Sequence, residues 1–450
     1  MRSIRGGLSR RQFLKSAGGG LGGLMLAMSG VPVFRTMAQQ GNPDLTGNVT
    51  WAVWGSEDEF DRFLALGDLY RERFPGVNLE LRHIPSDYDA TILTQFAGGT
   101  EPYTFHANED QILQLGLRQQ LMPLEPLLEA DPVLSIDNFY PRLLEPATVQ
   151  GVLYGLPVDD NPMVFYYNAD LFRSAGVQTP GELFEAGNWN WETFRESAAA
   201  VTDSETYGTH LDAWWGPIFS YFWQNGIEPF DPETYLSQLD QPAAIETLEF
   251  LRSMIVDDRS MYYVPQGTTG ATDANALFQS GKLGMYNAGR WMVPTYQNIT
   301  DFEWDVVPAP MGRVEATSVP AAWQVISART PEADLPAVWE WVKLFSGEEG
   351  QVFRMSGAGN AVPSWAGLES VVEPAEGAGP GNWREFLRPL EEGFGHGKPQ
   401  GASLDIQAQN DMFTAFDRIF LGQGTPQEIM NEVVPLMNEQ IQLTRDEFGL

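Results

Sequence analysis
Hydrophobic and polar positions past residue 48 change period several times, and each change predicts an element. Val49-Thr50-Trp51-Ala52-Val53-Trp54 is mostly apolar on both sides of the pleat, which predicts a covered strand. Ser56 followed by Glu59 has the form of a capping box, and Phe60, Phe63, Leu64, Tyr70 and Phe74 then share one helical face. Pro75-Gly76 ends that helix, and Val77, Leu79 and Leu81 alternate as a second strand. A helix over residues 86–96 and a short strand over 103–107 complete a strand, helix, strand, helix, strand order. That order predicts an α/β fold: a mostly parallel sheet with helices on its faces.

Amphipathic helices are predicted again over residues 191–201, 243–255 and 335–345. Trp339 and Trp341, in the last of these, are expected to pack in the core or along the helix surface. Residues 367–381 are rich in Gly, Glu and Pro and predict a surface loop. A chain of 450 residues exceeds what one core can serve, so two domains are expected.

Charge then narrows the function classes. The formal charge is −33. The first 38 residues hold six bases and no acid, so the remainder has 21 bases against 60 acids, or −39. A field of that sign repels phosphate backbones and argues against a nucleic-acid partner. The absence of cysteine removes disulfides, thiolate chemistry and a lipid-anchoring thioether, so a lipoprotein is not expected.

The basic N-terminus reads as an address. Arg10-Arg11 with Phe13-Leu14-Lys15 precedes an uncharged, glycine-rich stretch, and Thr36-Met37-Ala38 ends in small residues suited to cleavage. This resembles a twin-arginine export signal over residues 1–38. It implies the twin-arginine machinery as a partner and a periplasmic or extracellular location.

Several stretches in order resemble the extracellular solute-binding proteins of ABC importers, of the carbohydrate type that is maltose-binding-protein-like. They are Trp54-Gly55 at a strand end, the run from Tyr88 to Gly99, Gly116-Leu117-Arg118 through Pro123-Leu124, and Leu153-Tyr154-Gly155-Leu156-Pro157-Val158-Asp159 leading into Phe165-Tyr166-Tyr167-Asn168. Gly289-Arg290-Trp291 looks like the family's Gly-x-Trp. One departure is Tyr103 after Pro102, where the family often has Asp. The resemblance implies two α/β lobes with ligand in the cleft between them, a sugar or oligosaccharide as ligand, and permease transmembrane subunits as partners. By analogy one lobe comprises residues 39–156 and about 308–354, the other 157–307 and about 355–450. The chain would cross between them near Leu156-Pro157, near Val307-Pro308 and near residues 354–360.

A sugar offers an apolar C–H face and a rim of hydroxyls, so its site needs aromatic platforms beside planar hydrogen-bonding groups. Such residues stand at expected loops: Trp54; Asn108, Glu109 and Asp110; Asp159, Asp160 and Asn161; Asp212, Trp214 and Trp215; Trp323; Asn360 and Trp365. Within Gly289-Arg290-Trp291, the glycine would let ligand approach the backbone and the indole would stack on it. The guanidinium would donate hydrogen bonds or hold a cleft carboxylate. The plainer alternative makes Trp291 a core residue and Arg290 a surface charge.

Catalytic motifs are weak. His83, His106, His210 and His396 lack metal-ligand spacing, and no cofactor is expected. The run from Gly393 to Lys398 has the wrong spacing for a phosphate loop, with Pro399 where Ser or Thr would stand. A non-enzymatic receptor is the leading expectation. The alternatives are a binder of polyamines or glycerol phosphates, because tryptophan beside carboxylate also suits cations, and an exported glycosidase.

Overall fold
Two sheets, built from interleaved stretches of chain, organise the molecule. The computed structural model describes residues 42–265, 268, 271–357, 359–374 and 379–450; the expected export signal at residues 1–38 lies outside them. The first segment runs β1 (Thr46–Val53), α1 (Glu57–Arg73), β2 (Gly76–His83), α2 (Tyr88–Gly98), β3 (Thr104–Ala107) and α3 (Glu109–Leu117), close to the periodicity reading. Ser56 and Glu59 close the capping box that starts α1. Further on come β4 (Gly155–Asp160), β5 (Val164–Asn168), α4 (Trp215–Gln224), β6 (Met285–Ala288), β7 (Trp304–Val307) and β8 (Ala321–Ile326). The last long helices are α5 (Leu335–Ser346), α6 (Glu348–Met355), α7 (Ile406–Phe420) and α8 (Pro426–Phe448).

The larger sheet has the order β2-β1-β3-β8-β4 and the smaller β6-β5-β7. β1 is parallel to β2 and β3, as the helix crossovers require, whereas β8 runs antiparallel to both β3 and β4. The sheet is therefore mixed rather than mostly parallel. β8 arrives from the smaller sheet, with no helical crossover to fix its direction, and local periodicity carries no sign of that. Both strands beside β5 are antiparallel to it.

The chain leaves the larger sheet between Asp160 and Val164 and returns between Val307 and Ala321. Pro157 itself lies inside β4, opposite Trp323 beside a register irregularity. β4 is an edge strand, where a missing N–H is tolerated. A third passage follows α6, since Val362 bridges back to Asp160.

Trp51 centres the core of the larger sheet, 5.3 Å from Trp341 and 5.0 Å from Phe345. Its indole Nε1 donates to Gln324 Oε1 at 2.8 Å, satisfying a polar atom with no access to water. Trp339 and Trp341 are both buried, as expected of α5. The helix Pro242–Arg252 continues as a π turn, Ser253–Asp257. The stretch expected as a surface loop instead turns inward at Val371 and Val372, both buried, because a buried guanidinium claims the Val372 carbonyl. Among the described residues no helix is long and apolar enough to cross a membrane.

Candidate ligand-binding site
β1 and β3 run one way in the larger sheet and β8 the other, so the ends of β1 and β3 and the start of β8 fall along one edge. β4, antiparallel to β8, ends there too. Trp54 follows β1, Asn108 and Glu109 follow β3, Ala321 opens β8 and Asp159 lies near the end of β4. This is the edge where α/β sheets commonly hold ligands. Trp214 and Trp215 at the start of α4 and Trp291 just after β6 complete the lining of a cavity of about 520 Å³.

Five carboxyl groups face this space, from Glu59, Asp89, Glu109, Asp110 and Asp159, with Lys398 the lysine among them. Lys398 Nζ lies 2.5 and 2.7 Å from the two Asp110 oxygens, and Gln409 Nε2 donates to Asp110 Oδ2 at 3.1 Å. Burial works to raise the Asp110 pKa, but Lys398 and the hydrogen bond from Gln409 prevail and hold it below the ordinary range. Glu109, one residue earlier, is pushed up to about 7 by burial, with its own backbone N–H and the Lys398 charge opposing the shift and Asp110 and Asp89 adding to it. Asp159 is likewise raised by burial, to about 6, with Arg354 opposing the shift and Glu59 adding to it. Asp89 is raised by burial and by Asp110, while Asn108 Nδ2 donates to its Oδ1 at 3.0 Å. His106 is held well below its usual value by burial and the Arg354 charge, so its ring is neutral. Its Nε2 lies 4.0 Å from Asp159 Oδ2, and its ring meets Trp54 edge to face at 4.4 Å.

The aromatic side of the cavity rests on glycines. A β-carbon on Gly289 would lie 2.2 Å from Trp291 Cζ3, and one on Gly216 would lie 2.4 Å from Trp214 Cη2. Each indole therefore folds back over a glycine two residues away in sequence. Trp214 stands nearly perpendicular to Trp215, at 86° and 5.7 Å between ring centres. Carboxyls, amides and half-buried indoles in one cavity can hydrogen-bond hydroxyls and stack on apolar ring faces at once.

Of the residues singled out from sequence, Trp54, Glu109, Asp110, Asp159, Trp214, Trp215 and Trp291 line this cavity, as do Asn108, Asn161 and Asn360. The others are placed elsewhere. Gly289 makes room for Trp291 rather than for ligand. Arg290 is buried and donates to the carbonyls of Gly357, Gly359, Ala361 and Val372, so it is neither a surface charge nor a partner of a cleft carboxylate. Burial lowers its pKa to about 10. Its role is to brace the passage after α6, the segment that carries Asn360. Asp160 is wholly buried and paired with Arg142. Trp323 is almost wholly buried, its Nε1 donates to the Leu143 carbonyl at 2.7 Å, and it lines a neighbouring cavity rather than this one. Trp365 packs on Phe139 at 5.4 Å. Asp212 lies 3.4 Å from His210 Nε2 and lines a different, smaller cavity.

Sequence reasoning missed Glu59, Asp89, His106, Lys398 and Gln409. Glu59 is visible in sequence only as a capping residue; in the fold it also accepts from Asn360 Nδ2 at 2.5 Å. Lys398 had a signal, being one of only four lysines, but it sits in a run that fails as a phosphate loop.

Comparison with known proteins agrees with this architecture. The family model of bacterial extracellular solute-binding proteins matches residues 54–352. A Brucella abortus protein (strain 2308) described as a binding protein is 31% identical over 155 residues, 33% of this chain and 35% of that one. The chain thus spans about a third of that relative's length. The lactose-binding protein of Rhizobium radiobacter is 24% identical over 205 residues, 43% of this chain and 46% of its own. Among solved structures, the ABC substrate-binding protein of Listeria monocytogenes in complex with cycloalternan superposes with a TM-score of 0.78 at 21% identity. That superposition covers 88% of this chain and 99% of the other, and it gives the fold: two lobes of the maltose-binding type. With the family model matching well over half of its length, the chain belongs to the bacterial extracellular solute-binding proteins.

Proposed function
We propose that this protein captures a sugar or oligosaccharide in the periplasm or outside the cell and delivers it, chemically unchanged, to the membrane subunits of an ABC importer. One observation carries the reading: four tryptophans share a single cavity with five carboxyls and several amides. That combination matches the two-sided surface of a saccharide. It disfavours glycerol phosphates, because the carboxyls repel a phosphate and the one lysine is already paired with Asp110.

The lobes are proposed to meet at joints over residues 161–163 and 308–320, each passage lying between strands of different sheets, and at a third over residues 359–362, where Val362 bridges to Asp160. Export is proposed to use the arginine pair at residues 10 and 11. The lactose-binding protein of Rhizobium radiobacter and the cycloalternan complex of the Listeria monocytogenes protein support the ligand class.

The test is a thermal-shift screen with mono- and oligosaccharides, polyamines and glycerol phosphates. A ligand at a hundred times its Kd adds about 2.7 kcal/mol to stability. Stabilisation by saccharides alone, with the sugar recovered intact, is the expected result. Stabilisation by polyamines alone would overturn the ligand class, and release of reducing ends would identify a glycosidase.

A further inference from the structure
Four of the five carboxyls facing the tryptophan-lined cavity are answered by a neighbouring donor or cation. Glu59 accepts from Asn360 Nδ2 at 2.5 Å and from the Ser56 backbone N–H at 2.9 Å. Asp89 Oδ1 takes both Asn108 Nδ2 and Gln111 Nε2. Asp110 holds Lys398 and Gln409, while Asp159 has the Ala322 backbone N–H and the buried Arg354 charge in its favour. Glu109 is the exception. It is only 8% exposed and lines the cavity, yet among the described residues its carboxyl meets no donor but its own backbone N–H.

The surroundings of Glu109 sharpen the imbalance. Asp89 and Asp110 add negative charge beside it, and the cavity's one lysine is buried on both Asp110 oxygens, so its charge offsets the burial of Glu109 only in part. A buried carboxyl so placed either keeps its proton or takes a cation, because a buried charge is costly until it is paired. Burial accordingly raises its pKa to about 7.

The number of unanswered acids and the cavity walls together define a guest. Four indoles offer faces to apolar ring surfaces and attract cations as well. The four answered carboxyls keep lone pairs for ligand hydroxyls, and one acid lacks a cation. That suits a hydroxylated ring with a single positive charge; a polyamine brings several charges and no hydroxyl rim.

We propose that the ligand is an amino sugar with its nitrogen protonated, alone or within an oligosaccharide, and that Glu109 selects it by pairing with the ammonium. This rests on the saccharide-binding function proposed above and adds the ligand's charge and the residue that reads it. On binding, the ammonium replaces the carboxyl proton: protonated Glu109 and a cationic sugar give an ion pair, and one proton passes to solvent.

Titration calorimetry on wild type and Glu109→Gln would use glucosamine, galactosamine and their dimers, each beside its N-acetylated form and its 2-hydroxyl counterpart. Wild type should bind the amine of the preferred series about tenfold or more tighter than either neutral form, the gain of one charged hydrogen bond. At pH 6, in buffers of different ionisation enthalpy, amine binding should release about one proton, because Glu109 starts protonated there. Glu109→Gln should cancel both effects, with the unliganded fold at least as stable as wild type. Neutral sugars bound as tightly as their amines, or an amine preference that survives Glu109→Gln, would overturn the amino-sugar inference and leave sugar binding standing. Failure of every saccharide to bind would overturn both. If the variant does not fold, the wild-type comparison of amine with N-acetylated form, with its proton count, decides alone.

Discussion

The ring of Trp291 rests on Gly289, so closely that a β-carbon on the glycine would fall 2.2 Å from Cζ3. Glycine two residues before the indole thus fixes the platform's tilt, and Gly216 does the same for Trp214 from the other side in sequence. Trp291→Ala should weaken ligand binding by about 30-fold or more, the loss typical of roughly 2 kcal/mol for an aromatic anchor. Gly289→Ala keeps the indole but forces it to move, and should also weaken binding. Calorimetry paired with unliganded melting checks both. If Trp291→Ala instead lowers stability by about 3 to 5 kcal/mol while the folded fraction binds normally, Trp291 is a core residue and no platform.

Arg290 should matter for folding rather than for ligand contact. Its guanidinium serves carbonyls from residues 357 to 372, which no hydrophobic replacement can satisfy. Arg290→Met is expected to cost about 3 kcal/mol or more in urea unfolding, because buried acceptors lose charged donors. Arg290→Lys should rescue little, since a point ammonium cannot span acceptors spread around a planar fork. Unfolding free energies within about 0.5 kcal/mol of wild type would show that the brace is dispensable.

Much of the first sheet was legible in the sequence, because period and capping are local: Ser56 and Glu59 mark α1 whatever follows. The direction of β8 was not, since it depends on where the chain had been over the preceding residues. For the site, residues beside predicted strand ends on the cleft edge, such as Trp54, Glu109 and Asp159, were readable. Asp160 was misplaced by the two-fold alternation of a strand: one residue along from Asp159, the side chain turns to the core instead of the cleft. Lys398 and Gln409 come from the far end of the chain, and their nearness to Asp110 is a product of tertiary packing that spacing cannot encode.

Export by the arginine pair is tested directly. With both Arg10 and Arg11 changed to lysine, the precursor should accumulate inside the cell, read by fractionation and immunoblotting. Unchanged amounts of mature protein outside would remove the twin-arginine route.

Glu109 gives a pH signature with a definite sign. Burial raises its pKa from 4.5 to about 7, so between those values the folded protein binds protons that the unfolded chain has released. Stability from this group therefore falls as pH rises from 4.5 to 7 and is level beyond. Glu109→Gln removes the penalty of ionising a buried carboxyl, and its stability relative to wild type should improve by roughly 2 to 4 kcal/mol between pH 5 and pH 8. Asp159→Asn should show the same trend over a lower window, because its pKa is raised from 3.8 to about 6. Asp110→Asn should behave oppositely. Lys398 holds that pKa down, so Asp110 stabilises the fold above the ordinary aspartate range and loses that contribution in acid. Urea unfolding of Glu109→Gln, Asp159→Asn and wild type at pH 5, 6.5 and 8 separates the first two slopes, and Asp110→Asn is compared with wild type from pH 5 down to about pH 3, below the ordinary aspartate range. A Glu109→Gln advantage that is constant with pH, or that grows toward acid, would show that burial does not raise the Glu109 pKa.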